Sequence, residues 1–389
     1  MAKVFLKKKI SPRISEGHPW IYKNEIGDVV GIHQNGAIVE VFSSNGSFVG
    51  KGYYNEHTTI AIRLLTRIQE NIDPSFFRKK IEAAWQLRQL LGITDNARVV
   101  NAEGDGLPGL VVDKYDAFLV LQTHTLGADL WKDTIVAVLQ DLFKPLGIYE
   151  RNDLSVRSLE QLPLSKAHLS TPFNTNISIR ENELDLSLSL ESGSRTGFYL
   201  DRAGIRKQAL KYVREQHVLD LCAYTGAFAL AAAKHGAKSV LALEQEGQFC
   251  EWINKSALAN GLASQVKAAA VNVFDQLKLM VKNKESYGMI FLDPPVFAYS
   301  VEGLPKVRAA LKELNLRAIK LVKQGGFLVT TQAHALLSFE AFCQIIREAA
   351  VDAKREIRIL EIGCAGPDFP VLMQLPQNSI VQALILQVN

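Results

Sequence analysis

The sequence has few cysteines and no arrangement of them that suggests a shared role. Cys222, Cys250, Cys343 and Cys364 lie far apart, without a C-x-x-C pair or a histidine at metal-ligand spacing, so a disulfide framework and a structural zinc site are both excluded and the thiols are expected to be reduced. Long apolar runs are missing too. None reaches the roughly 18 residues that span a bilayer, and the basic start "MAKVFLKKKI" lacks the apolar stretch and cleavage site of a signal peptide. A cytoplasmic protein with no membrane partner and no metal is expected. The glycine-rich G-x-G-x-x-G turn of dinucleotide sites is also absent, which argues against a nicotinamide cofactor.

What is present is enough for several cores. With 389 residues, 48% hydrophobic and 22% charged, the chain is a globular protein too long for one ordinary domain. Its net charge of +4 is concentrated at the front, where Lys3, Lys7, Lys8, Lys9, Arg13 and Lys23 face only Glu16, Glu25 and Asp28 within residues 1–30. Such a surface suits a phosphate backbone.

The texture changes twice along the chain. Residues 1–71 read as short β segments, with Asn45-Gly46 marking a hairpin between "AIVEVF" and "FVG". Residues 72–167 read as a small α+β module, opened by Asp73 as N-cap and Pro74 as the first helical residue and containing one helical pattern over "GADLWKDTIVAVLQDLF". The third region, 168–389, begins with a β-hairpin extension at 174–192, turning near Asn182. From His217 it alternates strand and helix, which predicts an α/β fold with a parallel sheet of the Rossmann-like type. Its last two strands, "EIRILEI" and "IVQALILQV", have no helix between them and are expected to pair antiparallel, an ending typical of class I methyltransferase sheets.

In such sheets the ligand lies beyond the C-terminal ends of the strands. The first strand runs into "DLCAYTGAF", where Gly226 permits close approach and Asp220 can accept from an ammonium group. Glu244 ends the second strand, 24 residues beyond Asp220, where a carboxylate commonly binds ribose hydroxyls. Asn272 is expected at the end of the third, with its carbonyl available to an adenine amino group. Together they point to S-adenosylmethionine. The fourth strand ends "FLDPPVF", in which two prolines stiffen the loop behind Asp293 and place a rigid carboxylate where it can orient a methyl acceptor. Phe297 could stack on the base.

Six segments in order, "RISEGHPWIYKNEI", "AEGDGLPGLVVDKY", "SRTGFYLDRA", "DLCAYTGAF", "LDPPVF" and "ALKELNLRAIKL", resemble the bacterial large-subunit ribosomal RNA cytosine-C5 methyltransferases that carry an N-terminal PUA RNA-binding domain. The resemblance covers nearly the whole chain. It implies an S-adenosylmethionine pocket made of Phe198, Asp201, Arg202, Asp220, Cys222, Tyr224, Thr225, Gly226, Glu244, Asn272, Asp293 and Pro294, with Arg202 pairing the methionine carboxylate. It also implies an RNA surface including Lys7, Lys8, Lys9, Arg13, His18 and Trp20, joined by Lys306, Arg308 and Lys312 after the Asp-Pro-Pro loop. Ribosomal RNA is the expected partner, and a homodimer is allowed for.

One departure concerns the chemistry. C5 of cytosine is a poor nucleophile, so enzymes that methylate it first add a thiolate to C6. In the family that cysteine ends the fifth strand. Here the matching position is Ala333, between Gln332 and His334, and Val296 stands after the Asp-Pro-Pro where other C5 enzymes place the thiol. Three readings remain: methylation of a base nitrogen such as guanine N7, binding of RNA and cofactor without turnover, and an altered reaction with His334 as base.

Overall fold

The computed structural model describes residues 2–8, 11–31, 33–298 and 300–389, which fall into two compact units. One comprises Met1–Thr175, Ser189–Gly197 and Pro367–Pro376; the other comprises Asn176–Leu188, Phe198–Gly366 and Gln377–Asn389.

The first unit opens with a six-stranded sheet, order β2-β6-β5-β4-β1-β3, built from β1 (Ala2–Leu6), β2 (Trp20–Tyr22), β3 (Ile26–Val30), β4 (Ile38–Phe42), β5 (Phe48–Tyr54) and β6 (Ile60–Thr66), with the short helix α1 (Pro12–Ser15) between the first two. Alternate residues Val4, Leu6, Val39, Val41 and Ile62 bury one face. The expected hairpin is present: Ser43 and Ser47 close the turn, and Gly46 holds a φ of +86° that an L side chain would resist.

Helix α2 (Pro74–Leu90) follows as expected, with Asp73 accepting from the Phe76 amide at 3.0 Å and Pro74 in its first turn. A five-stranded sheet, order β11-β10-β9-β8-β7, completes the unit with β7 (Asn96–Asn101), β8 (Leu110–Tyr115), β9 (Phe118–Thr123), β10 (Gly147–Asn152) and β11 (Ser165–His168). The single helix expected between β9 and β10 is instead two, α3 (Leu126–Leu130) and α4 (Lys132–Phe143). The break falls at Trp131, whose ring packs on Phe77 with centroids 4.9 Å apart. Strand β11 was not expected, since its sequence Ser-Lys-Ala-His carries no apolar alternation.

The second unit begins with the hairpin β12 (Asn176–Glu181) and β13 (Leu184–Ser189), whose turn residues Asn182 and Glu183 both have positive φ. After α5 (Ala203–Ala209) come β14 (His217–Leu221), α6 (Ala227–Lys234), β15 (Ser239–Glu244), α7 (Gly247–Ala259), β16 (Val266–Ala270), α8 (Val273–Lys282), β17 (Tyr287–Leu292), α9 (Leu304–Leu321), β18 (Val322–Gln332), α10 (Phe339–Ala353), β19 (Ile357–Cys364) and β20 (Gln382–Val388). The sheet order is β16-β15-β14-β17-β18-β20-β19, parallel except for β20, which runs antiparallel to both neighbours. The predicted ending is therefore correct. Strands β14 and β17, buried on both faces, are central, so Asp220, opposite Phe291, and Asp293, just past the end of β17, come to the edge where strand order reverses. The hairpin is fixed to α7, with the Asp185 amide donating to Asn260 Oδ1 at 2.9 Å and the Ser187 amide to Ser256 Oγ at 2.8 Å.

Replacing the cap in Asp73→Ala should lower stability by about 1 kcal/mol, read as a reduced urea midpoint with an unchanged slope. An unchanged midpoint would mean that the Asp73 hydrogen bond contributes nothing.

Candidate active site

The loop after β14 is conformationally costly. Cys222, Tyr224 and Gly226 have φ of +60°, +50° and +76°, so two non-glycine residues occupy the left-handed region within five positions. Such strain persists where surrounding contacts over-determine the backbone, and it clusters at ligand sites. Here Glu244 is one such contact: its Oε2 accepts from the Tyr224 amide and its Oε1 from that of Gln245, each at 2.7 Å. Tyr224 is held between the rings of Tyr199 and Phe249. At Gly226 a Cβ would come within 2.8 Å of Ile253, so both space and φ require glycine.

Asp220 is buried, with Oδ2 accepting from the Ala229 amide at 3.0 Å and Oδ1 without a hydrogen-bond partner among the described residues. Burial, with the nearby charges of Asp293 and Glu244, raises its carboxyl well above the ordinary range. Thr225 Oγ1 is a second buried atom without a partner among the described residues. An orphaned acceptor among three carboxylates suits a cationic ligand, and S-adenosylmethionine carries both an ammonium and a sulfonium. Asp220, Thr225, Gly226 and Glu244 would hold it, and when bound it supplies an electrophilic methyl group. Cys222 lies in the same field: burial and the charges of Glu244, Asp293 and Asp220 push its thiol well up, so it stays protonated.

Asp293 is clamped. Arg202 Nε lies 3.0 Å from Oδ1 and 3.2 Å from Oδ2, and the Thr331 hydroxyl donates to Oδ1. Arg202 also pairs with Asp201 at 3.1 Å. Burial opposes its charge, but the two carboxylates more than compensate and raise its pKa. Arg202, expected to pair the methionine carboxylate, has its Nε on Asp293 and its Nη1 beside Asp201. Thr331 carried no motif signal, because its role depends on β18 lying beside β17.

Phe297 packs beside His334, with ring centroids 6.2 Å apart and planes within 23°. His334 is buried, and its Nε2 accepts from the Phe297 amide at 3.4 Å. Burial lowers its pKa below 6.5. A neutral imidazole thus pins the loop after Asp-Pro-Pro. Ala333 is buried beside it, and Pro294 is buried in the loop itself.

Other expected residues stand elsewhere. Asn272 does not end a strand: β16 stops at Ala270, and Asn272 Oδ1 caps α8 by accepting from the Asp275 amide at 3.2 Å. Phe198 is buried in packing beneath the Arg206 guanidinium. In the first unit, Arg13 is bonded to Glu25, to the Trp20 carbonyl at 2.6 Å and to His18, which is itself buried. Trp20 donates its indole N–H to Glu103 at 2.8 Å. These three side chains tie the first sheet internally and to the module behind it; His18 is buried, while Arg13 and Trp20 are half-buried. Lys7, Lys8 and Lys306 are exposed and Arg308 is half-buried, whereas Lys312 is paired with Asp352 at 2.9 Å; Lys9 lies outside the described residues. Among the described residues no His, Cys, Asp and Glu cluster could hold a metal, and no helix is long and apolar enough to cross a membrane.

Because the folded state depresses the His334 pKa, its contribution to stability is present above pH 6.5 and declines as pH falls below that value. His334→Gln, which keeps an acceptor without a titrating group, should show a smaller drop in urea midpoint between pH 7 and pH 5 than the parent chain. Equal drops would show that His334 does not titrate against folding.

Comparison with known proteins agrees with this geometry. Residues 4–67 match the PUA-like domain family and residues 205–350 the family described as conserved hypothetical protein 95. A methyltransferase structure in complex with SAH superposes with a TM-score of 0.86 at 20% identity, over 100% of both chains. A SAM-dependent methyltransferase from Streptococcus mutans gives 0.83, also at 20% and over 100% of both. The ribosomal RNA large subunit methyltransferase I of Alteromonas mediterranea is 30% identical over 100% of this chain and 99% of its own length, and that of Vibrio cholerae is 33% identical over 99% of each. The chain thus belongs to the ribosomal RNA large subunit methyltransferase I family and is an S-adenosylmethionine-dependent methyltransferase.

Proposed function

We propose that this chain transfers the methyl group of S-adenosylmethionine to a base of large-subunit ribosomal RNA, and that the accepting atom is a base nitrogen. The relatives' names and the PUA-like region support the RNA substrate. The observation that carries the choice of atom is the lack of a usable thiol. Ala333 and Val296 occupy the two positions where a nucleophile would stand. Cys222 is held protonated, while Cys250 and Cys343 lie within α7 and α10 with thiols raised by burial. Cys364 is exposed at the end of β19, two strands away from Gln332 through Gln382, roughly 10 Å at the usual strand spacing.

A base nitrogen carries its own lone pair and needs no covalent adduct. The work left to the protein is then to unstack the base, hold it in line with the methyl group and exclude water. Asp293 suits the second of these tasks, holding the base. Oδ1 already accepts from Thr331 and Arg202, but a carboxylate has about four acceptor sites, so capacity remains for a donor on the base. Phe297, fixed by His334, offers a ring face for stacking.

The test is transfer of tritiated methyl to ribosomal RNA from a strain lacking the enzyme, followed by digestion to nucleosides. Label should appear in a nitrogen-methylated nucleoside. Label in 5-methylcytosine would overturn the choice of atom, and no label at all would overturn the RNA-base reading. Asp293→Asn should lower kcat by about a hundredfold, the order expected when a reacting group is misplaced. A kcat within a few-fold of the parent would remove Asp293 from the site's chemistry.

A further inference from the structure

Three phenylalanines lie in register across adjacent strands of the first sheet, on the face opposite its core. Phe5 of β1 pairs with Phe42 of β4, and Phe42 pairs with Phe48 of β5. Phe5 and Phe42 are stacked at 5.5 Å with planes within 25°, and Phe48 meets Phe42 edge-on at 5.8 Å. All three are only half-buried, and none belongs to the core clusters on either side of the sheet. The same face is covered farther along, where Tyr53 and its partner Ile38 pack into the α2–α4 module. At the phenylalanine end no such cover is present among the described residues.

The surroundings are cationic. Lys3 Nζ lies 5.5 Å from the centroid of the Phe42 ring, and Lys7 and Lys8 follow at the end of β1, all three exposed. Glu40, beside Lys3 on the same face, is neutralised by Lys51 at 3.4 Å. Asp28, opposite Phe5, is the carboxylate left in the row. Exposed aromatic faces on a sheet flanked by lysines provide both parts of single-strand recognition: bases stack on the rings while the backbone phosphates meet the cations. A protein partner would be expected to cover so apolar a surface with few charges around it, and the three lysines favour a polyanion.

We propose that Phe5, Phe42 and Phe48, with Lys3, Lys7 and Lys8, form a stacking platform for unpaired bases of an RNA strand. This rests on the reading that the substrate is RNA and adds a binding surface separate from the methyl-transfer site.

The experiment measures binding of the full chain to a short unstructured RNA, labelled with fluorescein or carrying 2-aminopurine, and to the same sequence as a duplex. Phe42→Leu keeps the apolar bulk but removes the ring face, and Phe42→Tyr restores it. The leucine variant should bind the single strand about tenfold more weakly, lose the 2-aminopurine quenching and bind duplex as before, while the tyrosine variant behaves as the parent. Lys3→Gln should reduce the salt dependence by about one unit of slope. Equal losses on single strand and duplex, or no loss, overturn the platform. A leucine variant that changes sedimentation without changing RNA affinity overturns it in favour of an interface between copies. Cofactor binding and melting temperature, measured on each variant, identify misfolding. Loss of single-strand binding in a chain that transfers no methyl would sink the proposed activity and leave the platform standing; methyl transfer with unaltered single-strand binding would do the reverse.

Discussion

The ion pair between Arg202 and Asp293 is the contact on which the site depends. Arg202 follows a short turn before α5, Asp293 ends β17, and Thr331, which completes the clamp, lies in β18. Three segments distant in sequence are thereby held at one strand edge. The Arg202 side chain is only 3% exposed, so loss of either carboxylate partner would leave a buried charge poorly compensated, an effect of order 3–5 kcal/mol. The same pair fixes the Asp293 carboxylate before any substrate arrives. That preorganisation is what the proposed acceptor-positioning role requires.

The negative charge gathered at the strand ends has a second consequence. Glu244 and Asp293, beside an Asp220 carboxyl that burial drives toward its neutral form, make the edge favourable to a cationic ligand and unfavourable to a thiolate. Cys222, buried and within reach of all three charges, is pushed toward its neutral form. A site that attracts a sulfonium therefore works against cysteine nucleophilicity at this position. Just past β18 and beside the prolines, the two positions where the resemblance would put a cysteine, the chain has Ala333 and Val296.

Much of the architecture could be read from local pattern. Asp73-Pro74 gave a helix start, Asn45-Gly46 a hairpin, and the alternation after His217 a parallel sheet, because each depends on neighbouring residues alone. Asp293 and Gly226 were recognisable from the stiffness or freedom of a single position. The clamp was not, since Arg202 and Asp293 are 91 residues apart and pairing across that distance leaves no periodic trace. Asn272 was misplaced because an asparagine two residues past a strand serves equally as a helix cap, and Asn272 with the Asp275 amide follows that geometry. Arg13, His18 and Trp20 were placed near RNA by the resemblance; their hydrogen bonds to Glu25, Glu103 and the local backbone depend on the folded sheet and leave no local pattern. The phenylalanine row went unnoticed because its members are spread over three strands.

The central claim is methyl transfer without a covalent thiol adduct. It is tested most directly by incubating the chain with S-adenosylmethionine and ribosomal RNA containing 5-fluorocytosine, then separating the products under denaturing conditions. Fluorine at C5 prevents the elimination that releases the enzyme, so any chain that adds a cysteine to C6 remains attached to the RNA. The account predicts that no chain is retained while label still enters the RNA; a stable covalent complex that forms only with the cofactor would contradict it.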